Sequence, residues 1–362
     1  MSPEMGYVQS QNDKCLYIHP VTKHRVGVHV DDLISRGRRS VQEKIYRQLR
    51  LKFAIKEPKY VTEQTPVTFL SVQIGLERVN GYLWYTVSQS HDLKQFLDDE
   101  HFVNIRPVTA PMPDKKMIGK DTTKVNAEKH KLYRSWIGSL QYFAMWTRYD
   151  VAYPLSRLAQ SLSAPTEGAF TALLRVIAYM KGSVELGLRG KVRGIGEADV
   201  FDMYVDSDHV GDRIYNTRSH TGIIFLLNGV PVHWKSNKQV VTAKSSAEAE
   251  IYALSTAVQD MQLLLWRSQE QGIQVKFPGH IYVDNAAGVS FQTKTNPETK
   301  LRGCFDLRDA WVKELQDAGL VKAVKVATEL NVADLLTKCQ AATTQCRLIK
   351  LVNDRVLQLA VH

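Results

Sequence analysis

Cysteine is scarce and scattered. The chain of 362 residues has four, Cys15, Cys304, Cys339 and Cys346, with no Cys-x-x-Cys pair. That argues against a thiolate zinc centre and makes a reducing compartment the expectation. Long apolar runs are missing too. None approaches the roughly 20 residues that a membrane span needs, so no membrane partner is expected. The opening stretch, MSPEMGYVQSQNDK, lacks the apolar core of a signal peptide. An intracellular protein, cytoplasmic or nuclear, is therefore expected rather than a secreted one. Internal repeats and low-complexity tracts are absent. Acidic charge is in short supply: 37 Asp and Glu against 47 Lys and Arg, a net charge of +10. Such an excess favours a polyanionic partner. The remainder is ordinary for a globular protein, at 44% apolar and 23% charged, and the length leaves room for two or three domains.

Four of the few acids stand at telling places. They are Asp206 in MYVDSD, Glu250 in SSAEAEIYAL, Asp284 in HIYVDNAAG and Asp334 in ELNVADLLTK. Asp206 and Asp284 end short β-branched or aromatic runs. Glu250 lies one turn inside an expected helix, and Asp334 opens another. Acids at the ends of different strands and helices can converge in space, and a group of three or four cannot stay ionised together without cations. Two hard divalent ions bridged by carboxylates suit in-line cleavage of a phosphodiester. Asp208 is a spare near the first strand end. Glu248 is better explained as the capping partner of Ser245, and it cannot share a helix face with Glu250.

The pattern along the chain frames these acids. KCLYIHP and HRVGVHVDDLIS read as a hairpin, followed by a helix from Ser40 with Glu43 at capping-box spacing. Two strands meet at Asn80-Gly81, a strong tight-turn signal. A short helix, HDLKQFLDDEHF, and a proline-rich linker from Pro107 to Thr123 lead to amphipathic helices over 126–182, interrupted at Pro154 and Pro165. The last portion runs ADVFDMYVDSD, then two strands around Asn228-Gly229, then QVVTAK to end the meander. A helix from Ser245, the strand HIYVDN, the helix FDLRDAWVKELQDAG, the strand LVKAVKVAT and a terminal helix begun by VADLLTK follow. This order implies a mixed sheet with helices on its faces, α/β in that portion and α+β for the chain as a whole.

At these residues the chain resembles the C-terminal part of a copia-type LTR retrotransposon Pol polyprotein. HVDDLIS is similar to the catalytic aspartate hairpin of a reverse transcriptase, and GYVQSQNDKCLY to the approach to it. FLSVQIG and VSQSHDLKQFL resemble the end of the palm and the entry to the thumb. YRSWIGSLQYFAMWTRYDVAY and LRVIAYMKGS resemble the connecting helices. YVDSDHVGD, RSHTGIIFLLNG, WKSNKQ, SSAEAEIYALS, YVDNAAG and NVADLLTK resemble, in order, the family's ribonuclease H domain.

The resemblance implies four segments: a truncated palm and start of thumb at 1–106, a linker with helical thumb or connection at 107–195, a ribonuclease H-like domain at 196–345, and a tail at 346–362. It implies that Asp206, Glu250, Asp284 and Asp334 are catalytic and hold two Mg2+ ions, for which Mn2+ can substitute. The substrate would be the RNA strand of an RNA–DNA hybrid, with Lys235, Lys238, Lys244, Asn285 and Arg302 as nucleic-acid contacts. Other proteins of the same element remain open as partners. Asp31 and Asp32 are read as a polymerase remnant, because the family's earlier palm strand with its metal-binding aspartate is not among these residues. DNA synthesis by this chain alone is not expected. Two other readings stay open: a catalytically inactive nucleic-acid-binding remnant, and a structural partner of an intact reverse transcriptase.

Overall fold

A computed structural model describes residues 5–112, 114, 118, 121–193, 197–209, 218–284 and 307–353. The chain divides into two compact units. The first comprises Met1–Thr86, Lys191–Asp199 and Asp260–Lys276, the second Val87–Gly190, Val200–Gln259 and Phe277–His362.

The first unit opens with a sheet of β1 (Val8–Gln9), β2 (Leu16–Ile18), β3 (Arg25–His29) and β4 (Asp32–Arg36), in that spatial order. HRVGVHVDDLIS carries two strands rather than one. It turns at Val30–Asp31, so that His29 pairs with Asp32. Val30 takes a φ of 52°, a conformation that a β-branched residue adopts only under constraint. Helix α1 (Arg39–Arg50) packs Ile45 and Leu49 against Tyr7 and Val26. Its start differs from the capping box expected at Ser40. Arg38 holds the cap position without a side-chain cap, and Ser40 lies inside the first turn. Glu43 instead pairs with Arg39 at 2.8 Å. Next come β5 (Val67–Phe69), β6 (Val72–Val79) and β7 (Tyr82–Ser88). Asn80 and Gly81 both take left-handed φ values, 50° and 79°, as a two-residue hairpin turn requires.

The second unit combines helices with a mixed sheet. Its helices are α2 (Ser90–Leu97), α3 (Ala127–Trp146), α4 (Ala152–Ala159) and α5 (Glu167–Gly182). Asn126 and Thr166 cap α3 and α5 by accepting from the Lys129 and Ala169 amides. Pro154 sits in the first turn of α4, where its missing N–H costs nothing. Tyr133, Trp136, Leu140, Phe143, Leu173 and Ile177 build one apolar core. Strand β8 (Leu188–Lys191) follows α5.

Then follow β9 (Asp199–Asp208), β10 (His220–Leu227), β11 (Val230–Lys238), α6 (Ser246–Glu270), β12 (Val275–Val283), α7 (Leu307–Asp317), β13 (Val321–Lys325) and α8 (Ala342–Asn353). The sheet order is β11-β10-β9-β12-β13, with β9, β10 and β11 antiparallel and β12 parallel to β13. The mixed sheet expected from the order of elements is present. Asn228 and Gly229 make the expected turn, at φ 53° and 80°. Two expectations change. Gln239–Lys244 is not a strand, because β11 already ends at Lys238. VADLLTK does not start the terminal helix. Val332–Leu336 is a short 3-10 turn capped by Asn331 and ended by Thr337, and α8 forms separately.

Helices and sheet are tied together within this unit. Trp234 Nε1 donates to the Ala144 carbonyl at 2.7 Å, and Tyr153 meets His220 edge-on at 5.1 Å. Between α3 and α4 the chain buries an ion pair. Arg148 and Asp150 are each 1% exposed and bond through two parallel contacts, at 2.9 and 2.8 Å. Tyr179 donates to Asp150 at 2.6 Å, Arg148 to Ser183 Oγ at 2.7 Å, and Gln345 of α8 to the Asp150 carbonyl at 3.1 Å. Removing one partner would strand the other charge away from water. Arg148→Ala is therefore expected to lower unfolding free energy by about 3–5 kcal/mol. A denaturant titration of wild type and variant measures this, and an unchanged midpoint would contradict the role given to the pair.

A candidate metal centre

Asp206 is the pivot of the site. It lies near the end of β9, the middle strand of five, and is 2% exposed. Both neighbouring strands bring something to it. Gly222 of β10 is its register partner, and β12 runs out at Val283 to leave Asp284 just beyond the strand end. Asp334 comes from the 3-10 turn. One carboxylate oxygen from each of Asp206, Asp284 and Asp334 lies within 4.8 Å of the others. Among the described residues this is the group that could hold a metal ion.

Glu250 enters from the first turns of α6 and is 7% exposed. It is not one of the three oxygens in mutual reach, but it feels their charge. Burial, then Asp206 and Asp284, push its carboxyl up to about 8. Burial and Asp206 likewise raise Asp334 to about 6, and Asp284 is raised by burial and by Asp206. The local sequence explains why α6 starts where it does. Ser245 Oγ accepts from the Glu248 amide at 3.1 Å as an N-cap does, and Glu248 accepts from the amide of Lys244, the residue before the cap, at 2.7 Å.

The 3-10 turn that carries Asp334 is locked from several sides. Asn331, fully buried, donates from Nδ2 to the Val205 carbonyl at 3.1 Å, one residue before Asp206. Ser236 Oγ donates to the Leu336 carbonyl at 2.7 Å. With its proton so engaged, Ser236 must accept from His220 Nε2 at 2.8 Å, which fixes the tautomer of an imidazole that burial keeps neutral. Gly222 permits the close approach. A Cβ there would stand 2.6 Å from Thr337 Cγ2, 2.8 Å from Leu336 Cβ and 2.9 Å from the Ala333 carbonyl.

Two residues beyond the expected four touch the cluster. Thr337 Oγ1 donates to Asp206. Lys338 Nζ donates to Asp334 at 2.7 Å and lies 3.2 Å from the nearer oxygen of Asp206. Sequence reasoning passed over both, although Lys338 stands four residues after Asp334, the spacing at which ion pairs form on a helical turn.

The other expected residues lie as follows. Lys235 and Lys238 are half-buried on β11, and Lys238 Nζ is 3.4 Å from Gln160 Oε1. Lys244 is exposed in the loop before α6. Asn285 and Arg302 lie outside the described residues. Asp31 and Asp32 belong to the first unit and are exposed at the β3–β4 turn.

Hard oxygen donors, close spacing and raised carboxyl groups are what a divalent-ion site shows when its charge is uncompensated. The same charge predicts a pH effect on the metal-free protein. Folded Glu250 keeps its proton up to about pH 8. An unfolded glutamate loses it near about 4.3. Between those values the folded state binds more protons, so stability falls as pH rises. In EDTA, the melting temperature is expected to drop between about pH 5 and 8, and Glu250→Gln to drop less. Parallel wild-type and variant curves would remove Glu250 from the cluster. Gly222→Ala is expected to lower the melting temperature by several degrees and to reduce the further rise on adding Mg2+. A variant as stable and as Mg2+-responsive as wild type would show that the close approach is not needed.

No family model matches the chain. Among curated proteins, the retrovirus-related Pol polyprotein from transposon TNT 1-94 of Nicotiana tabacum is 26% identical over 342 residues, covering 92% of this chain and 25% of that polyprotein. The retrovirus-related Pol polyprotein from transposon RE1 of Arabidopsis thaliana is 28% identical over 338 residues, covering 92% and 22%. The chain thus spans about a quarter of the length of these two polyproteins. Among solved structures, LC11-RNase H1 in complex with RNA/DNA hybrid is similar at 17% identity and a TM-score of 0.29, over 43% of this chain and 99% of its own. At that score the likeness carries no weight for function.

Proposed function

Because this chain belongs with the Pol polyproteins of copia-type retrotransposons, we propose that its second unit is a ribonuclease H that cuts the RNA strand of RNA–DNA hybrids. The observation that carries this reading is the convergence of Asp206, Asp284 and Asp334 within 4.8 Å at the end of a mixed sheet.

Asp206, Asp284 and Asp334 would hold divalent ions, with Glu250 as the fourth carboxylate. Two bound Mg2+ ions would supply an activated water and charge stabilisation at the leaving 3′-oxygen, giving a 5′-phosphate and a 3′-hydroxyl. The protein's own task is geometric. Asn331 and Ser236 hold the Asp334 turn against β9 and β11, so the ligands need not reorganise when a phosphate arrives. Lys235, Lys238 and Lys244 would track the nucleic-acid backbone, joined by Asn285 and Arg302. Preference for RNA would come from 2′-hydroxyl contacts across the wide minor groove. The first unit's hairpin is read as reverse-transcriptase palm. No polymerase step is assigned to Asp31 and Asp32, because no third carboxylate among the described residues forms a cluster with them.

The test is a gel assay of the full chain on a labelled hybrid. Cleavage of the RNA strand is expected with Mg2+ or Mn2+ and not in EDTA, with single-stranded RNA cut far more slowly. Asp206→Asn is expected to reduce the rate by roughly a hundredfold or more. Its metal-free melting temperature should hold or rise, since one repelling charge is gone. Wild-type cleavage in that variant would mean that the site lies elsewhere. Salt-dependent hybrid binding without any cleavage would favour a non-catalytic binding remnant.

A further inference from the structure

The ammonium of Lys338 stands where the carboxylate oxygens converge. Its Nζ is 2.7 Å from Asp334 Oδ1 and within 3.2 and 3.3 Å of the two oxygens of Asp206. These are two of the three residues whose oxygens could hold an ion. The side chain is a third exposed.

We propose that Lys338 is a resident counter-cation of this centre, occupying the carboxylates when no metal is bound and displaced from them when metal enters. This rests on reading the carboxylate cluster as a divalent-ion site.

The argument is electrostatic and steric. A buried group of like charges must be neutralised by protons or by cations. One covalently attached cation is already present, and it spends its N–H donors on Asp334 and Asp206. A divalent ion needs those same lone pairs at about 2.0–2.1 Å for Mg2+. Lysine can give way. Its four-carbon stem is flexible and its charge is a compact point, unlike the planar fork of arginine. The turn beneath it cannot follow, because Asn331, Ser236 and the close packing at Gly222 hold it to the sheet. Metal binding therefore moves the ammonium and leaves Asp334 in place. The tethered charge has two opposite effects: it stabilises the metal-free fold and weakens metal binding. A merely structural salt bridge at the rim of the site would do only the first.

The experiment compares the full chain with its Lys338→Met variant, which keeps the stem and removes the charge. Mn2+ binding is measured by loss of the free-ion electron paramagnetic resonance signal, and melting by circular dichroism. Lys338→Met is expected to bind Mn2+ about tenfold more tightly. It should melt below wild type in EDTA and close that gap in saturating Mn2+. Equal or weaker Mn2+ binding by a folded variant would overturn the proposal while leaving the metal centre intact. Failure of both proteins to bind Mn2+ would overturn the metal-centre reading and this inference with it. A second measurement needs no variant. Acetylation of Lys338 in the wild-type protein, followed by peptide mass spectrometry, should become several-fold faster on adding Mn2+. An unchanged or slower rate would show that metal does not release the ammonium.

Discussion

Repulsion among buried carboxylates is the interaction around which the second unit is arranged. Asp206 is nearly inaccessible in the central strand, and Asp284 and Asp334 come within one ion's reach of it. Left alone, three such charges would push apart, and Glu250 would add a fourth. The fold resists this with neutral bonds. Asn331 and Ser236 fasten the Asp334 turn to the two strands beside it. Thr337 gives Asp206 a hydrogen-bond donor that carries no charge. The protein thus fixes the geometry with neutral bonds and leaves the charge to protons and Lys338.

Much of this was legible in the sequence, for specific reasons. Asn80-Gly81 and Asn228-Gly229 gave their turns away because both positions need a left-handed backbone that few residue pairs tolerate. Ser245 and Glu248 marked the start of α6 because their bonds are local. The same Ser-x-x-Glu spacing misled at Ser40, where Arg39 competed for Glu43. The acids at strand ends could be picked out singly, but their separation could not, since it depends on strand order. Gly222 looked like one small residue in an apolar run. Its meaning lies in a turn more than a hundred residues away. Thr337 and Lys338 escaped notice because their contacts to Asp206 span more than 130 residues of sequence.

The segment around Arg148 was the least readable part. WTRYDV resembles a polar break between two helices, and such breaks are usually solvated. Here Trp146 stays half-exposed, while Thr147 to Val151 is buried throughout. Its cost in desolvation is met because Arg148 and Asp150 find each other, Ser183, Tyr179 and Gln345. Hydrophobic periodicity cannot announce such a network, because every member is polar. The network also places α8, whose Gln345 reaches back to the Asp150 carbonyl.

The bond from Trp234 to Ala144 has a practical corollary for protein engineering. Tyr149, Tyr153 and the end of α3 lie against β10 and β11, so the helices form the floor on which part of the sheet rests. An excised piece that started near residue 197 would keep all four carboxylates and still lose that floor. The Trp234 indole and the His220 imidazole would lose the helix contacts that cover them. Any dissection of this chain therefore has to keep these helices together with the sheet they support.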